Sequence, residues 1–152
     1  MFGKRRFSSE RRTMEEKEIR HKLKLIVERY NLVAIYAFGS RAAEIAMLVK
    51  GKTVDARCAE SDLDIGVQPA RGVKLLAKDK VRLAIELEDL FRVQRIDLVV
   101  IPEAGPFLAL DIILGELLYC KGLDEQAEHE LYILRLAGDL AYYERHRRSQ
   151  IL

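Results

Sequence analysis

The sequence predicts an α+β fold of α/β character: a small mixed sheet packed by helices, with a helix at its N-terminal end and a long one at its C-terminal end. Three observations predict it. Apolar runs of strand length occur at Leu32–Phe38, Leu63–Val67 and Ile96–Ile101, and each is cut off by Gly39-Ser40, by Pro69 and Gly72, or by Pro102. Segments with the apolar spacing of helices lie before, between and after these runs. That alternation argues for a sheet layered with helices.

Taken in order, residues 1–13 form a basic leader, expected to be disordered, with Lys4, Arg5, Arg6, Arg11 and Arg12 set against Glu10. Glu15 to Tyr30 reads as an amphipathic helix, because Ile19, Leu23, Ile26 and Tyr30 recur at steps of four and three. Thr13 is its expected N-cap and Asn31 its stop. Leu32–Phe38 is apolar almost throughout, as suits a central strand. Arg41 to about Val49 is expected to form a helix whose N-terminus faces the Gly39-Ser40 turn. Residues 50–60 read equally well as a short strand at Thr53–Arg57 or as helix and loop. Leu63–Val67 is the second strand, Asp79–Val93 a helix faced by Leu83, Leu87, Leu90 and Phe91, and Ile96–Ile101 the third strand. Pro106 sits near the first position of a short helix running to about Gly115. Glu116–Cys120 suggests a further strand, and Asp124 caps a long helix to about Arg147. Ile133, Leu136 or Ala137, Leu140 and Tyr143 would form that helix's apolar face, with Tyr142-Tyr143 serving packing or an interface.

A chain of 152 residues has room for one domain with a real core, here 14–152. The longest apolar candidate, Phe107–Leu118, is interrupted by Asp111, Gly115 and Glu116 and falls short of the ~20 residues that span a bilayer. The N-terminus lacks the apolar segment of a signal peptide, so a cytoplasmic protein without membrane association is expected. Cys58 and Cys120 read as free thiols, and three histidines at no ligand spacing argue against zinc. The basic ends, including Arg145, Arg147 and Arg148, read as solvated faces rather than a nucleic-acid surface.

The chemistry concentrates in three places. Asp62 and Asp64 are two apart at the start of a strand, so they project from one face, while Leu63 and Ile65 point to the other. Carboxylates so close repel one another, and a divalent cation relieves that repulsion. Asp97 lies in another apolar run; if the two strands are neighbours, three acids converge. Oxygen-only ligation suits Mg²⁺ or Mn²⁺. At Gly39-Ser40, a glycine after a strand admits a ligand close to the backbone. Helix amides and the Ser40 hydroxyl would hold phosphate oxygens there. Arg41 would add a charged contact to the nucleotide, or equally pair with an acid. No P-loop and no dinucleotide-binding glycine motif occurs.

Phe38-Gly39-Ser40-Arg41-Ala42, Ser61-Asp62-Leu63-Asp64-Ile65-Gly66-Val67 and Arg95-Ile96-Asp97-Leu98-Val99 resemble the motifs of the minimal nucleotidyltransferases of the polymerase-β-like superfamily. The resemblance covers roughly residues 15–145 and extends, through Ile113–Tyr119 and the last helix, to the proteins paired with HEPN toxins. It implies a nucleotidyltransferase fold and a two-metal transfer of AMP from ATP. Asp62, Asp64 and Asp97 would be the catalytic metal ligands, with Asp97 alternatively the base, and Gly39, Ser40 and Arg41 would bind nucleotide. The acceptor would be a tyrosine of a partner HEPN ribonuclease toxin held in a hetero-oligomer, making this chain the antitoxin. Alternatives are an antitoxin that silences by binding alone and an enzyme modifying a small molecule. The chain has no Arg-x₄₋₆-His motif, so it is not the toxin. Arg41 to Ser61 exceed the family's spacing between motifs, which implies an insertion at about 43–60. That insertion would reshape the acceptor entrance or mark a loss of activity.

Overall fold

The computed structural model describes the backbone of residues 3–52 and 62–151, and the side chains of 14–52 and 62–150. Four strands, β1 (Leu32–Phe38), β2 (Leu63–Pro69), β3 (Ile96–Val100) and β4 (Glu116–Cys120), form one sheet in the order β3-β2-β1-β4. β1 is antiparallel to both β2 and β4, and β2 is parallel to β3. The sheet is therefore mixed, as expected. Parallel neighbours need a crossover, and α3 (Ala77–Phe91) supplies it between β2 and β3.

One face of the sheet is covered by α1 (Gly3–Arg29), α2 (Ala42–Val49) and α3. Leu23 and Val27 of α1, Ile45 of α2 and Leu83 and Leu87 of α3 meet Leu63, Ile65 and Val67 of β2 there, all nearly inaccessible to solvent. The helical spacing of these apolar residues is what gives each helix one buried side. The other face carries α4 (Pro106–Ile113) and α5 (Leu123–Ile151), packed through Ala109, Ile112 and Ile133 onto Val33, Ala34 and Tyr36. Beneath α4 the side-chain layer has no thickness to spare. A Cβ added at Gly66 would collide with Ile112.

Several boundaries differ from the sequence expectation, each for a local reason. α1 begins at Gly3 and runs through the expected leader, so Thr13 lies within the helix and is not its cap. Asn31 does stop it, in the left-handed conformation at φ 52°. Pro69 ends β2 as its last residue, two beyond Val67, because a terminal strand residue need not donate a ladder hydrogen bond. α3 starts at Ala77, and Asp79 lies within its first turn, accepting the Leu76 N–H at 3.4 Å. β3 gives way at Ile101 to a 3₁₀ turn, Ile101–Glu103, with Pro102 inside it. α5 opens at Leu123 with Asp124 and Glu125 in the first turn, where they favour the helix dipole. The segment 53–61, which includes Cys58, the expected Thr53–Arg57 strand and Ser61, lies outside the described residues.

α5 is pinned at one level and open beyond it. Tyr36, 2% exposed on β1, donates its hydroxyl to Glu130 at 2.8 Å, and Gln126 donates to both. Ile133 and Ala137 bury the next turns. From Tyr142 to Gln150 every residue is exposed, so Tyr142-Tyr143 do not pack on the body of the protein. Among the described residues no helix is long and apolar enough to cross a membrane.

Candidate active site

The strand register decides which acids meet. Asp64 of β2 pairs directly with Asp97 of β3 and, on its other side, with Phe38 of β1. Asp62 stands just before β2, on the same face as Asp64 by the two-residue strand period. Leu63 and Ile65 are fully buried on the opposite face, as expected. The Leu63 N–H donates to the Arg95 carbonyl at 3.1 Å and holds the two strand starts level, while the Ile96 N–H donates to the Glu88 carboxylate of α3 at 3.1 Å and ties β3 to that helix. Asp64 is half-buried, whereas Asp62 and Asp97 remain 45% and 49% exposed at the side chain. An apolar strand therefore does not bury its acid where the helices covering that face leave its end exposed.

The Gly39-Ser40 turn closes onto this cluster. Gly39 has φ +75°, and a Cβ there would sit 2.5 Å from Oδ2 of Asp64. Only glycine lets the turn approach that carboxylate so closely. The Ala42 N–H donates to the Gly39 carbonyl at 3.3 Å and starts α2. No side-chain cap holds the first turn of α2, and Ser40 is exposed beside it. Arg41 is 7% exposed and donates to both oxygens of Glu44, at 3.2 and 3.1 Å. This is the ion pair that the sequence allowed for as an alternative to nucleotide contact.

Sequence reasoning did not single out Arg95. Its Nε lies 3.7 Å from Asp62 and its Nη2 3.6 Å from Asp97. The signal was present: Arg95 is two residues before Asp97, so strand alternation puts both on one face.

The Asp64 carboxyl is pushed above its ordinary range by burial first, then by the charges of Asp97 and Asp62. Among the described residues no group of three or more His, Cys, Asp or Glu stands together as a metal set in this arrangement, in which Arg95 occupies the two outer carboxylates. The donor chemistry nonetheless fits a hard divalent cation. It is made of carboxylate oxygens only, and its central member is destabilised by the negative charge that a cation neutralises.

A family model described as polymerase beta, nucleotidyltransferase, matches residues 21–124, which span all four strands. The chain belongs to this nucleotidyltransferase family. Solved structures agree on the nucleotidyltransferase fold. The toxin–antitoxin complex MntA–HepT matches at 20% identity over 89% of this chain and 95% of that one, with a TM-score of 0.55. A toxin–antitoxin structure with AMP-PNP matches at 21%, over 87% and 94%, TM-score 0.55. A tri-AMPylated Shewanella oneidensis HEPN toxin in complex with MNT antitoxin matches at 22%, over 92% and 95%, TM-score 0.55. No curated protein matches the chain significantly.

Proposed function

We propose that this nucleotidyltransferase uses ATP to adenylylate a tyrosine of a partner HEPN ribonuclease toxin and is the cytoplasmic antitoxin of that pair. One observation carries the chemistry: the β2–β3 register sets Asp64 opposite Asp97, beside a Gly39 turn that only glycine can close on Asp64. The likeness to toxin–antitoxin complexes, one with AMP-PNP and one with an AMPylated toxin, supports the choice of nucleotide and acceptor.

In this reading Asp62, Asp64 and Asp97 hold Mg²⁺ or Mn²⁺, which supplies Lewis-acid stabilisation of the phosphate charge. The exposed Gly39-Ser40 turn and the uncapped start of α2 offer backbone amides and a hydroxyl to the triphosphate. The acceptor tyrosine oxygen attacks the α-phosphorus, the bond to the β-phosphate breaks and pyrophosphate leaves. In the alternative in which Asp97 is the base, its solvent-exposed carboxylate takes the phenolic proton.

Incubation with labelled ATP, Mg²⁺ and the partner protein tests the proposal. Label should pass to the partner, and Asp62→Ala should reduce transfer by about 100-fold or more. No transfer by the unaltered protein sinks the enzymatic reading. A binding-only antitoxin is the second reading, favoured by the exposed apolar surface of α5 at Leu131, Tyr132, Leu134, Tyr142 and Tyr143. It requires Asp62→Ala and Asp64→Ala to neutralise the partner as well as the unaltered protein does.

A further inference from the structure

Arg95 is the one described cation that stands on two of the three proposed catalytic acids at once. Its backbone is fixed, since its carbonyl accepts the Leu63 N–H. Its side chain is not: 69% of it is exposed, and both carboxylates lie beyond hydrogen-bond length, at 3.6 and 3.7 Å. The guanidinium is thus held by charge, on the same two carboxylates that a divalent cation would need. In this arrangement the acids do not form a metal set.

We infer that Arg95 is a tethered counter-ion that competes with the divalent metal for Asp62 and Asp97, so that metal binds only by displacing it. The inference rests on the metal-dependent reading above and adds a threshold to it. Without metal, Arg95 neutralises the outer acids and limits their repulsion of Asp64. When metal enters, the guanidinium is released at the mouth of the site. Exposed ion pairs of this length each shift an equilibrium by no more than a few-fold, so together they set the metal requirement without abolishing binding.

Mn²⁺ titration of the nucleotide-free protein, followed by electron paramagnetic resonance of free Mn²⁺ and by thermal melting, provides the test. Arg95→Ala should bind Mn²⁺ about three- to tenfold more tightly than the unaltered protein. It should also melt lower without metal and gain more on adding it. Arg95→Lys should stay near the unaltered protein, because it keeps the charge. Arg71→Ala, which removes an exposed charge beyond the opposite end of β2, should leave the midpoint unchanged. An Arg95→Ala midpoint that is unchanged or weaker, with the unaltered protein binding Mn²⁺, overturns this inference alone. An equal gain from Arg71→Ala also overturns it, because the effect would then be one of net charge. If neither the unaltered protein nor Arg95→Ala binds Mn²⁺, the metal reading falls and this inference with it.

Discussion

Gly39 and Asp64 occupy one space, and the two positions fail differently when changed. Alanine at Gly39 must adopt a positive φ and push its Cβ against the Asp64 carboxylate. Gly39→Ala should cost about 1–3 kcal/mol of stability in urea unfolding and suppress transfer of label to the partner. Asp64→Asn should do the reverse for stability. Its carboxylate is disfavoured by burial and by its acidic neighbours, so the neutral isostere should raise the metal-free melting temperature by a few degrees while transfer is lost. If Asp64→Asn melts lower, the charge at this position is not the cost that its surroundings imply. Such opposite signs on neighbouring residues are what a site built for a cation predicts, since its charges are arranged for the bound state.

At the scale of the element, two contacts fix α4 and α5 on their face of the sheet. Ile112 of α4 rests on Gly66, so Gly66→Ala should lift the helix and cost about 1–3 kcal/mol. Gly66→Ala combined with Ile112→Ala should cost less than the sum of the two changes, measured as a double-mutant cycle. Tyr36 anchors α5 through Glu130, and Tyr36→Phe should cost about 1–2 kcal/mol near neutral pH. Burial raises the Tyr36 hydroxyl above its ordinary 10.0, and the Glu130 hydrogen bond and charge add to this against an opposing contact from Gln126. The folded state therefore keeps this proton after the unfolded chain has lost it. Stability from Tyr36 is complete below pH 10 and declines as pH rises beyond. Unfolding curves from about pH 9 to about pH 11 should show that slope in the unaltered protein, reduced in Tyr36→Phe.

In the whole molecule, the sheet with α1 to α4 makes the body, and α5 extends past it. A chain ending at Ala141 should melt within a few degrees of the full chain, because residues 142–150 bury nothing in it. If α5 is the partner surface, the same chain should bind the partner at least ~10-fold more weakly, read by calorimetry. Much of this architecture was legible in the residues. β1 and β4 have the bounds their apolar runs announced, and β2, β3, α3 and α4 differ only near their ends. The start of α1 was not legible, because Gly3 to Thr13 carry charges without an apolar period, and that period is the signal by which a helix is read from sequence. Likewise Tyr142-Tyr143 continue the apolar spacing of α5 but have no sheet left to cover. At the site, the residues alone pointed to the three acids and the Gly39-Ser40 turn as candidates, and the resemblance of their motifs pointed to nucleotidyl transfer. Those depend on local alternation and on residue type. Only the tertiary structure decided that Asp64 faces Asp97, that Gly39 closes on Asp64, that Arg41 turns to Glu44, and that Arg95 lies across the outer acids. Register and side-chain pairing are set by packing between segments far apart in the chain, and no local pattern encodes which of the available charges meet.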